Sequence, residues 1–141
     1  MKNYSIKLKI FCKEYHISTL GSFNGSIFSI DKNALVTGGT GFIGSHVVDK
    51  LIINNVRVNV LDNLSTGRLE NLSKSMNSNK FRLIKGDLNN SENVKNSLQD
   101  VKTVFHRAAH PEVRTGYEFP EMAYKENIKN TFCTDIKHAR V

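Results

Sequence analysis

The eight residues Thr37-Gly38-Gly39-Thr40-Gly41-Phe42-Ile43-Gly44 are the part of this 141-residue chain whose types and spacing most clearly point to chemistry. A glycine-rich turn entered from a strand and left by a helix suits a pyrophosphate, because unpaired N–H groups and the positive dipole end meet the anion there. Gly38 permits the tight turn. Gly41 removes a side chain that would hold the backbone away from the phosphates, and Gly44 lets the helix pack on the strand. Gly39 and Gly44 also have the separation of an NTPase phosphate loop. That motif continues with Lys and Ser/Thr, whereas Ser45-His46 follows here, and the missing lysine removes the reading.

Asp62 stands 18 residues beyond Gly44, at the end of a Val-rich stretch. A carboxylate there can take both ribose hydroxyls of an adenosine and repels a 2′-phosphate, so the pattern points to NAD over NADP. Arg68 lies close enough in sequence to soften that preference. A plain structural turn is the rival reading of the glycines. The strand before them, the helix after them and the acid closing a second strand weigh against it.

These residues need a scaffold of alternating strands and helices, and the chain from Ala34 supplies the pattern. Strands are expected at Ala34–Thr37, Val56–Leu61, Phe81–Lys85 and Lys102–Arg107. A helix is expected over Phe42–Asn54, where Val47, Val48, Leu51 and Ile52 recur at helical spacing. Residues 68–77 read as weak helix or loop. Ser91 is the expected N-cap of a helix running to Leu98, and Pro120 to about Thr134 reads as one further helix. This is an α/β pattern, a partial doubly wound parallel sheet with strand order 3-2-1-4. Residues 1–33 read as an irregular basic extension, 34–132 as the dinucleotide-binding unit and 133–141 as a divergent tail.

Composition sets the class: 39% apolar and 23% charged residues are close to globular averages and argue against a disordered chain. The net charge of +7 is densest in residues 1–33, where five lysines face two acids. It forms no concentrated patch with interleaved aromatics, so no nucleic-acid partner is expected. No apolar run reaches the length of a membrane span. Cys12 and Cys133 are too far apart in sequence for a zinc or redox motif, and a cytoplasmic setting without a metal is expected.

The stretch Ala34–His46 resembles the opening of the NAD-dependent epimerase/dehydratase family, the extended short-chain dehydrogenases/reductases. Asp62-Asn63-Leu64-Ser65-Thr66-Gly67-Arg68 is similar to its UDP-glucose 4-epimerase group. Gly86-Asp87-Leu88, Val104–Ala109, Pro111–Arg114 and Asn127–Thr131 extend the match in family order. The resemblance covers residues 34 to about 132, the N-terminal part of a family subunit. It implies that Gly38, Gly41, Phe42, Ile43 and Gly44 hold the NAD pyrophosphate and that Asp62 and Asn63 hold the adenosine ribose. Asp87 and Leu88 would flank adenine, and Ala108 and Ala109 would contact the nicotinamide-side ribose. Asn127, also carried over as a cofactor-site residue, would sit on the helix that steadies the active site.

Two positions and the C-terminal segment depart from the family pattern. Arg107 replaces an apolar residue, as either a turned-out surface side chain or a break in the cofactor wall. Asn130 replaces a small residue. After Thr131 the chain reads Cys133–Val141 in place of a Leu-rich helix. The family's chemistry uses a Tyr with a Lys four residues later, and no tyrosine here has one. Tyr4, Tyr15, Tyr117 and Tyr124 are followed at that spacing by Leu8, Thr19, Glu121 and Ile128. No catalytic residue is therefore assigned, and UDP-sugar is expected to bind poorly. The expectation is an incomplete, catalytically silent NAD-binding portion, with a non-catalytic binding or interaction module as the alternative.

Other residues read more simply. His106 on a strand reads as a satisfied core histidine, and His110 as one of several scattered histidines. Glu112, Glu118, Glu121 and Glu126 read as a solvated helix face. For Arg114, a surface position and a phosphate contact stand level. The outer edge of the fourth strand is expected to lack a neighbour, which would lower stability and invite self-association.

Overall fold

A computed structural model describes residues 32–110 and 113–131, together with Lys7–Leu8 and Tyr15–His16. Those two pairs form a short antiparallel bridge, β1 (Lys7–Leu8) with β2 (Tyr15–His16). The rest of the 1–33 extension, Pro111 and Glu112, and the 133–141 tail lie outside the described residues, as do both cysteines.

The four further strands are β3 (Asn33–Thr37), β4 (Arg57–Asp62), β5 (Phe81–Lys85) and β6 (Thr103–His106). They form one parallel sheet in the order β5-β4-β3-β6, which is 3-2-1-4 counted along the sheet. Val36 is level with Val60 on one side and Phe105 on the other. Side chains alternate across a strand, so β3 and β4 feed two cores. Ala34, Val36, Val58 and Val60 pack with Val48 and Leu51 of helix α1 (Phe42–Ile53) and with Leu72. Leu35 and Leu61 pack with Leu88, Leu98, Val101 and Val94 of helix α2 (Ser91–Ser97). A fully buried Leu or Val contributes about 1.5–3 kcal/mol, so these two layers hold the sheet in place.

The edge strands are less covered. Every residue of β6 is half-buried, and among the described residues no strand pairs with its outer edge. No helix among the described residues is long and apolar enough to cross a membrane.

Local chemistry explains where the helices begin and end. α1 stops because Asn55 takes a left-handed conformation, φ +68°. Val56 N–H then donates to Leu51 O and Asn55 N–H to Ile52 O, each at 3.0 Å, closing the last turn. The N-cap of α2 is Asn90 rather than the expected Ser91. The Asn90 side chain accepts from the N–H groups of Glu92 at 2.9 Å and Asn93 at 3.3 Å, and Ser91 is already helical. The expected 68–77 segment forms a single 3-10 turn, Leu69–Leu72.

The C-terminal part differs most from expectation. A helix α3 (Val113–Glu118) precedes Pro120, in a segment whose Gly116 and Thr115 are weak helix formers. The single helix expected from Pro120 is α4 (Pro120–Ala123) followed by a π-helical stretch, Tyr124–Lys129.

Candidate functional site

The carboxyl ends of β3, β4, β5 and β6 bring the expected site residues to one edge of the sheet, where ligands of parallel α/β sheets bind. At the end of β3, Gly38 has φ +66° and its N–H donates to Leu61 O at 3.0 Å. A Cβ there would lie 2.6 Å from Ala108 N. Gly38 thus serves both the turn and the close approach of the segment leaving β6.

The other glycines divide the work differently from the expectation. A Cβ on Gly44 would overlap the Gly38 carbonyl oxygen, so Gly44 packs α1 on the turn itself and not on a strand. Gly39, given no packing role from sequence, is the residue pressed on the sheet. Its Cβ would sit 2.6 Å from Val60 Cγ1. Gly41 is the least constrained, since a Cβ there would meet only Gly38 O, at 3.3 Å. The next two residues, Phe42 and Ile43, are 76% and 58% exposed, an apolar pair at the open end of the turn.

Asp62 closes β4 with only 8% of its surface exposed. Its Oδ2 accepts from Thr40 N–H and its Oδ1 from Leu64 N–H, each at 2.9 Å. Each oxygen keeps a lone pair for a further donor. Leu64 is held at φ +60°, a strained region for a branched side chain. The Asn63 side chain accepts from Ser65 N–H at 3.0 Å, which shapes the same loop.

At the end of β5, Asp87 Oδ1 accepts from Asn89 N–H at 2.7 Å and from Asn89 Nδ2 at 2.8 Å. The backbone bond from Asn89 is the main reason its carboxyl is held below the usual carboxylate value. The Asn89 side chain and the charge of Lys125 act in the same direction, against partial burial. Oδ2 is left for an incoming donor. Leu88 is 5% exposed and its side chain belongs to the core, so it can offer only main chain to a ligand.

Past β6, Arg107 N–H donates to Thr37 O at 3.0 Å and its side chain is exposed. Ala108 is half-buried against the turn and Ala109 exposed. The Asn127 side chain accepts from His110 N–H at 2.7 Å, so the π-helical stretch pins the segment that leaves β6. His106 is half-buried, with ring nitrogens 2.7 Å from Thr37 Oγ1 and 3.0 Å from Thr131 Oγ1, a satisfied histidine as expected. Asn130 is 3% exposed and donates to Glu126, which removes Glu126 from the solvated set; Glu118 and Glu121 are exposed. Arg114 is exposed as well. No group of metal-binding side chains occurs among the described residues.

Sequence reasoning missed Thr40, Gly67 and Asn71. Thr40 O accepts from Arg68 N–H at 3.1 Å and from Asn71 Nδ2 at 2.8 Å, and Gly67 lies against the Thr40 side chain. The glycine inside Asp62–Arg68 was the available signal. A cavity of about 280 Å³, lined in part by Arg57, Arg82 and Asp100, lies at the opposite end of the sheet, away from all these residues.

Comparison with known proteins agrees with this fold. A putative UDP-glucose 4-epimerase of Methanocaldococcus jannaschii is 45% identical over 98 residues, 69% of this chain and 30% of that protein. The UDP-N-acetylglucosamine 4-epimerase of Methanobrevibacter ruminantium M1, solved with UDP-N-acetylmuramic acid, superposes with a TM-score of 0.69 at 40% identity, covering 76% of this chain and 34% of that one. The UDP-glucose 4-epimerase of Thermus thermophilus, solved with NAD, gives 0.66 at 33% identity, covering 74% and 33%. The chain thus spans about a third of the length of these relatives. The family described as GDP-mannose 4,6 dehydratase matches residues 35–133. Fold, motif order and this match together make the chain a member of the NAD-dependent epimerase/dehydratase family.

Proposed function

We propose that residues 34–132 form an NAD-binding unit, the cofactor-holding portion of a nucleotide-sugar epimerase or dehydratase. The observation that carries this reading is the Asp62 carboxylate, buried at the end of β4 and aligned by N–H groups from the glycine-rich turn and from Leu64. A carboxylate so placed suits a ribose diol and repels a 2′-phosphate, which favours NAD over NADP. The residues fit the group elsewhere too. Gly41 leaves the turn open where the pyrophosphate would lie, Gly38, Phe42, Ile43 and Gly44 frame it, and Asp87 keeps one oxygen for the adenine amino group. Asn63, the Leu88 main chain, Ala108 and Ala109 complete the cofactor's contacts, with Asn127 holding the last segment in place.

In a complete relative, bound NAD would supply the hydride acceptor and donor for a sugar carbon. The proton on the sugar hydroxyl calls for a Tyr-x-x-x-Lys pair, which residues 1–141 do not contain. This chain by itself is therefore expected to bind NAD without turning over a UDP-sugar. Titration of the purified chain with NAD by calorimetry tests the reading, and absence of binding at millimolar NAD overturns it. The outer edge of β6, which no described strand pairs, and the exposed Phe119, Met122 and Ile128 would favour self-association. Sedimentation that stays monomeric as concentration rises would count against that part.

A further inference from the structure

Thr40 joins the glycine-rich turn to the 63–68 loop. It is fully buried, and its backbone is engaged on both sides. The N–H donates to Asp62 Oδ2 at 2.9 Å, and the carbonyl accepts from Arg68 N–H at 3.1 Å and Asn71 Nδ2 at 2.8 Å. Gly67 sits so close that a Cβ there would overlap the Thr40 hydroxyl and lie 2.9 Å from its carbonyl carbon.

We propose that Asn71 and Gly67 are positioning residues that set the discrimination between NAD and NADP. They hold Thr40 against the loop, and Thr40 in turn holds the Asp62 carboxylate. This inference rests on the cofactor reading above and adds residues that would touch no part of the cofactor.

A carboxylate rejects a 2′-phosphate only while it cannot turn aside. Asp62 is fixed at both oxygens, but by two different segments: Leu64 from its own loop and Thr40 from the turn. If the loop releases the Thr40 carbonyl, the turn and the loop separate. One of the two bonds on Asp62 then weakens, and the carboxylate is free to rotate away from a phosphate. Arg68 is exposed in the same loop and would attract that phosphate once the acid has moved. The clamp thus decides which of the two opposite charges faces the ribose.

Asn71→Ala removes the side-chain donor, and Gly67→Ala pushes the loop off Thr40 from the other side. The full chain and both variants are titrated with NAD and with NADP. NAD affinity is expected to fall about fivefold in each variant, the effect of one lost hydrogen bond. NADP affinity should change less, so the NAD preference narrows by about threefold or more. A variant that is merely less folded weakens both cofactors alike and leaves the ratio unchanged.

An unchanged ratio in both variants, with circular dichroism showing folded protein, overturns the proposal. Hydrogen exchange at the Arg68 amide in cofactor-free protein reads the clamp separately. It should quicken in Asn71→Ala, and unaltered exchange also overturns the proposal. If the unmodified chain binds neither cofactor, the cofactor reading fails and the discrimination falls with it. The exchange result would still show whether the clamp exists.

Discussion

The Thr37 hydroxyl lies 2.7 Å from His106 Nδ1, joining the carboxyl ends of β3 and β6. The direction of the bonds follows from the neighbours. Thr131 Oγ1 donates to Asn127 O at 2.7 Å, so it accepts from His106 Nε2–H at 3.0 Å. In a neutral ring Nδ1 then accepts, and Thr37 donates to it. Thr37 Oγ1 also accepts from Arg107 N–H at 3.2 Å and Ala108 N–H at 3.4 Å. One hydroxyl thereby connects the glycine-rich turn, the end of β6 and the helical segment carrying Asn127. Thr37→Val keeps the shape and removes the bonds made by Thr37 Oγ1. It is expected to cost about 1–3 kcal/mol in urea unfolding, with Thr37→Ser costing less. A Val variant as stable as the parent would show that the relay contributes nothing to folding.

Gly41 and Gly44 are expected to separate ligand binding from folding. Gly44→Ala drives a methyl into the Gly38 carbonyl and should lower stability by about 1–3 kcal/mol. Gly41→Ala meets only one atom, at 3.3 Å, and should leave the thermal midpoint within a few degrees of the parent while weakening NAD at least about tenfold. Equal NAD affinity in Gly41→Ala and the parent would remove the pyrophosphate from this turn.

Asp87 gives a pH dependence of known sign. Its folded-state pKa is lowered from 3.8, chiefly by the Asn89 backbone bond. The stabilisation is therefore complete above the unfolded value and is lost as pH falls through the lower folded value. Between neutral pH and about 5 the group contributes a constant amount, and the decline belongs to the range below about 4. Asp87→Asn should flatten that acid limb in unfolding experiments run at several pH values. An acid limb unchanged by the substitution would assign it to other carboxylates.

The start of α2 offers a simple contrast. Asn90→Ala removes the acceptor for two backbone N–H groups and is expected to cost about 1 kcal/mol. Ser91→Ala, one residue on and already helical, should stay within about 0.5 kcal/mol of the parent. Equal costs for the two would return the cap to Ser91.

Much of this architecture is legible along the chain because its signals are local. The Val-rich run before Asp62 makes β4, the helical spacing of Val47, Val48, Leu51 and Ile52 marks α1, and the glycine spacing marks the turn between strand and helix. The cap of α2 was misplaced by one residue because Asn90 and Ser91 are both good caps, and only backbone geometry separates them. Helix α3 was missed because Gly116 and Thr115 carry little helical preference. Asn127 was placed on a helix by resemblance, but the π-helical turn that brings its side chain to His110 has no sequence signature.

By itself the sequence determined the parallel α/β plan, the glycine-rich turn and the acid that accompanies it, since each depends on residue type and short-range spacing. Only the tertiary structure decided how the glycines share their duties. Gly44 faces Gly38 O, Gly39 faces Val60 and Gly67 faces Thr40. Those contacts join residues up to 27 positions apart, as Gly67 and Thr40 are, and no periodicity in the chain encodes them. The physical reason is that a missing side chain has meaning only through what would occupy its place, and that neighbour exists only once the strands have assembled.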